Sequence, residues 1–283
     1  MSALTDPWAF GFFRTGMLAA VLAGALCGLI GVFVVLRRMS YMGHGLSHAV
    51  FGGAVASYVA GVNFYLGAGL WGFASALLID SIARRRKIGA DAAIGTVTTA
   101  SFAIGVALIS KTQRFTQNFE AALFGNILGV TGTDVLVLVA AFLFAAAAIF
   151  FAYRQLLFAT FDPDVAAASG VRVRRFETLL AVVLALTIIS TMRILGVTLI
   201  AAVLVIPAVV TRLVTDRFGR LLVGSTLVGA GCGAVGMYAS WLVDVSSGAT
   251  IVLVASALFG AVYLRDVLRG RGARAALLGD AAP

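Results

Sequence analysis

Two imidazole side chains, those of His44 and His48, are the residues whose type and spacing most directly indicate chemistry. They are the only two histidines among the 283 residues, and they lie four positions apart. On an α-helix, residues four apart occupy the same face, one turn above the other. Two imidazoles placed in this way can share one metal ion, and imidazole suits zinc and other borderline transition metals.

The position of this pair relative to a bilayer leaves two interpretations open. The apolar stretch that follows, residues 49–62, is shorter than the roughly 20 residues that a helix needs to cross. A crossing helix must therefore include residues 43–47, which places both imidazoles inside the membrane, where ionisable groups usually line a path for a substrate or ion. In the alternative, both imidazoles lie among the lipid headgroups and hydrogen-bond locally. Further metal ligands would be carboxylates, backbone carbonyls, water or a second subunit, and the carboxylates near the membrane are Asp80, Asp91 and Asp244.

The composition identifies the kind of fold that must hold the histidines. The chain is 61% hydrophobic and only 12% charged, whereas soluble domains have about 25% charged residues. The apolar residues form long continuous runs, which indicates an all-α polytopic membrane protein and not a β-barrel. We predict about eight or nine transmembrane helices, and the nine candidate spans are residues 12–36, 42–62, 66–83, 90–110, 132–152, 177–192, 194–214, 220–243 and 248–264.

The distribution of the 21 basic residues predicts the orientation of these spans. When the run of residues 84–87 is placed in the cytoplasm, only Arg14, Lys111, Arg114 and Arg193 fall outside. The positive-inside rule then puts the N-terminus outside and the C-terminus inside. The net charge of +9 is therefore explained by the membrane topology, with the basic residues facing the headgroups of the lipid bilayer. It does not indicate that the protein binds nucleic acid. We expect a permease domain over residues 1–265 and a cytoplasmic tail over residues 266–283.

The motifs of several enzyme classes are missing from the sequence. The segment HGLSH, residues 44–48, lacks the glutamate of zinc proteases, and there is no G-x-S-x-G elbow. Neither of the two lysines belongs to a phosphate-binding Gly-Lys-Ser/Thr loop. The chain is therefore predicted not to be an enzyme, and energy for transport would come from a partner protein or an ion gradient.

A short helix is predicted at about residues 162–170, on the cytoplasmic side between two spans. Asp162 is a suitable N-cap, Pro163 a favourable first residue, and Asp164 interacts well with the positive end of the helix dipole. Gly170 supplies the left-handed stop. The segment is either a well-capped connection or a docking helix positioned by Phe161 and the neighbouring spans.

Two pairs of glycines, Gly24-Gly28 and Gly229-Gly233, have the small-residue spacing that lets membrane helices approach closely.

Five ordered blocks resemble the permease subunits of zinc/manganese/iron-type ABC importers. They are residues 34–49, 120–129, 157–171, 196–208 and 247–254, and together they extend over most of the chain. The resemblance implies a homodimer that binds a separate cytoplasmic ABC ATPase and receives metal from an extracytoplasmic solute-binding protein. It also implies that residues 161–164 and Gly170 belong to the helix that couples the permease to the ATPase.

The same resemblance implies that His44 and His48 hold the transported metal. His48 matches the expected histidine ligand, whereas His44 stands where the family usually has aspartate. Because imidazole is a softer ligand than a carboxylate, the presence of His44 in place of aspartate favours zinc, with manganese or iron as alternatives. In the other interpretation, only His48 binds the metal. We expect no permanently bound cofactor. The leading hypothesis is the permease subunit of an ATP-driven divalent-metal importer, and the alternatives are a gradient-driven secondary transporter or channel, or an intramembrane metalloenzyme.

Overall fold

Helices account for nearly all of the regular structure in the computed structural model, which describes residues 6–83, 90–112 and 123–279. These residues contain eleven α-helices and two short 3-10 turns, Asp6–Ala9 and Ile127–Gly129, so the all-α prediction is confirmed. The helices are α1 (Gly11–Leu36), α2 (Ser40–Val59), α3 (Phe64–Ala83), α4 (Ala90–Thr112), α5 (Gly132–Phe151), α6 (Tyr153–Phe161), α7 (Pro163–Ala168), α8 (Val173–Leu195), α9 (Ile200–Arg212), α10 (Phe218–Val243) and α11 (Ser247–Gly279).

Nine of these helices follow the nine predicted spans in order, and α6 and α7 form the connection between the fifth and sixth. Six of the described helices are long and apolar enough to cross a membrane: α1, α4, α5, α8, α10 and α11. The apolar parts of α3 and α9 are shorter, and α2 carries the polar residues around the two histidines. The chain is a multi-pass membrane protein, and the exact number of crossings stays a prediction.

Close packing of α1 against α10 forms the centre of the bundle. A Cβ atom at Gly24 would overlap the backbone carbonyl of Gly229, and one at Gly28 would overlap that of Ser225. Gly233 lies equally close to the backbone of α1. The Ser225 hydroxyl donates a 2.6 Å hydrogen bond to the Gly28 carbonyl, which the short separation makes accessible. The predicted role of the two glycine pairs in close helix approach is therefore confirmed.

Helix α8 joins two groups of helices. One group consists of α2, α3 and α4, which pack on each other, and the other is built around α1 with α5, α9 and α10. Helix α8 contacts members of both groups. Helix α11 packs on α9 and α10 but leaves most of its surface exposed, and it continues through Gly279, so the predicted tail starts as an extension of this helix. Residues 280–283 lie outside the described part.

The helix ends define two faces of the bundle. At the first face, the rings of Phe33 near the end of α1 and Phe218 at the start of α10 are 5.7 Å apart. Nearby, the Arg37 guanidinium donates a 2.9 Å hydrogen bond to the Ala159 carbonyl in α6. We call this face the basic end because the helix ends here carry residues that were predicted to be cytoplasmic: Arg37, Arg38, Arg154, Arg172, Arg212 and Arg217. Residues 84–87, from which the orientation was argued, lie outside the described residues.

The opposite face collects aromatic side chains, and we call it the aromatic end. The Phe13 ring near the start of α1 lies 5.6 Å from that of Trp241 near the end of α10. Trp8, Phe10, Phe12 and Tyr238 complete the cluster. A cavity of about 710 Å³ beside it is lined by Trp241, Asn126 and residues from the start of α11. Aromatic rings of this kind are enriched where a membrane meets water.

A buried carboxylate at the aromatic end ties the two helix groups together. Asp134 is 1% exposed and accepts hydrogen bonds from the Thr131 backbone N–H and hydroxyl, both at 2.8 Å, and from the Tyr65 hydroxyl. It also forms a 2.7 Å ion pair with Arg193, whose carbonyl accepts from the Asn126 N–H at 3.0 Å. We call Tyr65, Thr131, Asp134 and Arg193 the Asp134 network. The sequence analysis missed this network, although the Thr131-x-x-Asp134 spacing is a capping-box signal.

Candidate metal-binding site

The two histidines lie on one face of α2, as their spacing predicted. Their ring centroids are 4.8 Å apart, and the ring planes are inclined by 79°. Between them, the Ser47 hydroxyl donates a 2.7 Å hydrogen bond to the His44 carbonyl, so it is committed to the backbone of its own helix. His44 is four residues and His48 eight residues from the start of α2, which places them about 6 and 12 Å along the helix axis from the basic end.

Helix α4 supplies the opposite wall of the site. The pocket between the helices has a volume of about 270 Å³ and is lined by His44, Gly45, His48, Thr98, Thr99 and Phe102. The His48 ring meets the Phe102 ring edge-on at 5.1 Å. Gly45 lets the two helices approach, since a Cβ atom there would crowd the side chains of Ile94 and Thr98. The sequence analysis predicted that the two imidazoles share one helix face but missed their neighbours on α4.

The pocket brings together two imidazoles, which are candidate metal ligands. Among the residues that the structure describes, no group of three His, Cys, Asp or Glu side chains is close enough to hold an ion. Asp244 follows the end of α10 and lines the cavity at the aromatic end, away from the histidines. The side chains of Asp80 and Asp91 lie outside the described part. His44 is exposed and His48 half-buried, so an ion held by both rings would keep coordination positions open for further ligands.

The predicted cytoplasmic helix is present as α7, with six residues. The Asp162 carboxylate accepts a 3.0 Å hydrogen bond from the Val165 N–H, and Pro163 is the first helical residue. Asp164 lies in the first turn, and Gly170 has a φ of +81°, the left-handed conformation that ends the segment. The local structure predicted for these residues is confirmed, whereas their role in coupling stays a prediction.

Two contacts connect this segment to the membrane helices. Phe161 is 61% exposed, and its ring lies 6.1 Å from that of Phe218 at the start of α10. Arg37, just after α1, holds the last turn of α6 through the Ala159 carbonyl. Burial lowers the pKa of the Arg37 guanidinium, and the Glu177 carboxylate on α8 opposes this shift. The segment therefore exposes the Phe161 ring, and the end of α6 that precedes it contacts α10 through Phe218 and the end of α1 through Arg37.

A family model described as the ABC 3 transport family matches residues 9–265. This chain belongs to the ABC 3 transport family. The match confirms the resemblance that the five sequence blocks suggested, and it begins just before α1 and ends within α11.

Transport-system membrane proteins of other bacteria are similar to this chain over almost its whole length. A manganese transport system membrane protein, MntC of Halalkalibacterium halodurans, is 36% identical over 261 residues, which are 92% of this chain and 89% of MntC. A probable iron transport system membrane protein of Haemophilus influenzae is 32% identical over 258 residues, or 90% of this chain and 94% of the relative. These relatives are transport-system membrane proteins, and their names do not support our preference for zinc.

The fold is similar to that of a solved structure. PsaBC from Streptococcus pneumoniae in complex with Fab superposes with a TM-score of 0.85 at 31% identity, covering 92% of this chain and 94% of that chain. The overall helical arrangement of this chain is therefore similar to that of the PsaBC chain.

Proposed function

We propose that this chain is the permease subunit of an ATP-driven importer of a divalent transition metal. The observation that carries the proposal is the imidazole pair of His44 and His48, held on one face of α2 in a pocket against α4. Family membership supports an ABC ATPase as the energy source over an ion gradient. In this proposal nine helices cross the membrane, the basic end is cytoplasmic, and metal arrives from a solute-binding protein at the aromatic end.

In this proposal the second copy of a homodimer covers the α2–α4 face. His44 and Thr99 are exposed on that face in the single chain, and polar groups at this depth are costly against lipid. Because the described part of one chain brings only two imidazoles together, the remaining ligands come from the second copy, water or backbone carbonyls. Metal would pass by alternating access around this site.

The identity of the metal is a question of ligand chemistry. Relatives named for manganese and iron make manganese the first cargo to test. Zinc is the second, because His44 replaces the aspartate that the resemblance leads us to expect, and nitrogen ligands favour zinc over manganese. Under this interpretation His44→Asp raises manganese uptake relative to zinc uptake. An unchanged ratio would mean that His44 does not set the selectivity.

Metal uptake by cells that depend on this transporter tests the site. We expect His44→Ala/His48→Ala to lower uptake more than about tenfold at unchanged membrane abundance, because even the loss of a group that only hydrogen-bonds to a metal ligand costs about 10–100-fold in affinity or activity. Thr96→Ala, an exposed residue of α4 that does not line the pocket, is the matched control and keeps normal uptake. Undiminished uptake by the double variant would refute the site while leaving family membership intact.

Coupling through α7 is tested separately. Phe161→Ala and Pro163→Ala should reduce metal-stimulated ATP hydrolysis and uptake by the assembled complex without unfolding the bundle, because Phe161 projects from the surface and α7 is local. Phe150→Ala is the control, since that ring is 76% exposed and lies on α5. Normal coupling in the α7 variants would make the segment a connection only.

A further inference from the structure

A groove lined almost entirely by apolar side chains runs along the outer surface near the basic end. It lies between α5 and α8, with the start of α6 at the edge nearer the basic end, and has a volume of about 480 Å³. Gln155 is the one polar residue in its lining, which otherwise consists of Phe144, Ala147, Ala148, Phe151, Ala152, Phe176 and Leu179. The groove is separate from the histidine pocket, which lies between α2 and α4.

The length of α5 places this groove relative to the bilayer. Its 20 residues span about 30 Å, the thickness of the hydrocarbon core. Phe151, the last residue of α5, therefore lies near the basic-end boundary of the core. From Phe144 to Phe151 the groove extends about 10 Å into the core. Gln155, one turn beyond, reaches the headgroup layer.

Positive charge is concentrated at the headgroup end of the groove. Arg172 is the residue just before the first turn of α8, and Arg175 lies one helical turn before the lining residue Leu179, on the same face of the helix. Arg175 is adjacent to Phe176, and both arginines are exposed. The acidic residue of α8, Glu177, interacts electrostatically with Arg37. An apolar groove with positive charge at its headgroup end fits a molecule that has a hydrocarbon chain and an anionic headgroup.

We propose that this groove binds one anionic phospholipid, with an acyl chain along Phe144, Phe151 and Leu179 and the phosphate beside Arg172 and Arg175. Basic pockets between helices at the cytoplasmic side are a recurrent way to recognise such headgroups. The charge arrangement disfavours a second copy as the occupant, because a two-fold interface here would bring the same arginine-bearing edge against itself. The lipid lies on the flank of α8, the helix that packs on both helix groups.

Native mass spectrometry of the purified full-length chain, exchanged into mixed phosphatidylglycerol and phosphatidylcholine with identical acyl chains, tests the proposal. Wild type should retain phosphatidylglycerol preferentially. Since each arginine near an anionic surface changes binding about fivefold, Arg172→Gln/Arg175→Gln should lower this preference about 25-fold. The control Arg265→Gln/Arg269→Gln neutralises two exposed arginines on α11 and should keep the preference.

A second variant tests the groove without changing charge. Ala147→Phe should fill the groove, because Ala147 is exposed in its lining. The variant should retain less of both lipids, while its circular dichroism spectrum stays that of the wild type. Four results would overturn the proposal: an unchanged preference in the arginine double variant, an equal loss in the α11 control, displacement of the lipid by inorganic phosphate, or an Ala147→Phe variant that loses dimers instead of lipid. Metal uptake, measured in parallel, reports on the histidine site independently.

Discussion

Loss of the Asp134–Arg193 ion pair should destabilise the bundle, and the two possible truncations should differ in size. Arg193 is 42% exposed, whereas Asp134 is 1% exposed. If Asp134 is replaced by Asn, the guanidinium can still reach water, and the amide oxygen can still accept one of the former hydrogen bonds. If Arg193 is replaced by Met, the carboxylate stays buried with only the neutral donors of Tyr65 and Thr131.

The expected magnitudes follow from this asymmetry. Removing one partner of a buried ion pair costs about 3–5 kcal/mol, and Arg193→Met belongs in this range because the carboxylate left behind has no access to water. Loss of a charged hydrogen bond costs about 1.5–3 kcal/mol, which is the range for Asp134→Asn. For a chain of this size about 2 °C of melting temperature corresponds to 1 kcal/mol. The expected decreases are therefore about 6–10 °C for Arg193→Met and about 3–6 °C for Asp134→Asn.

Thermal unfolding of the purified chain in detergent, followed by tryptophan fluorescence, measures these changes. Asp216→Ala is the control, since this carboxylate is exposed just before α10, and it should shift the melting temperature by less than about 1 °C. A larger loss for Asp134→Asn than for Arg193→Met would refute the argument that the solvent access of the remaining charge decides the cost. The double variant should be less destabilised than the sum of the two single variants, because each change removes the same pair.

Two further predictions concern the helix contacts. Gly229→Ala should lower the melting temperature by several degrees, since the added methyl group meets the Gly24 carbonyl and overpacking costs about 1–3 kcal/mol; Gly231→Ala, with open space around it, should be neutral or stabilising. Arg37→Gln should lower metal uptake, because it removes the 2.9 Å hydrogen bond that connects the end of α1 to the Ala159 carbonyl. The neighbouring variant Arg38→Gln is the control and should keep normal uptake. Equal uptake by the two variants would mean that this hydrogen bond is not needed for transport.

Local features were predictable because their causes lie within a few residues. The N-cap of α7 by Asp162 and its left-handed stop at Gly170 follow from the conformational preferences of those side chains, and both are present. The continuous apolar runs likewise predicted the order of the long helices. Helix α11 extends further than expected, since the charged and small residues beyond residue 264 are compatible with a helix that continues past the apolar core.

Contacts between distant segments were not predictable in this way. Arg193 was placed outside the membrane without a partner, but it pairs with Asp134, which is 59 residues away in the chain. The partner of a charge depends on which helix ends the packing brings together, and periodicity within one helix contains no such information. The same limit applies to Phe102 and Thr98, which line the histidine pocket from α4.

The amino-acid sequence by itself determined a helical membrane protein with two imidazoles on one helix face, because hydropathy, charge and the helical repeat act along the chain. Only the tertiary structure decided what surrounds those imidazoles. It set α4 against them, left His44 exposed, and located Asp244 at the other end of the bundle. The physical reason is that a metal site needs ligands that converge in space, and convergence results from the packing of helices far apart in sequence.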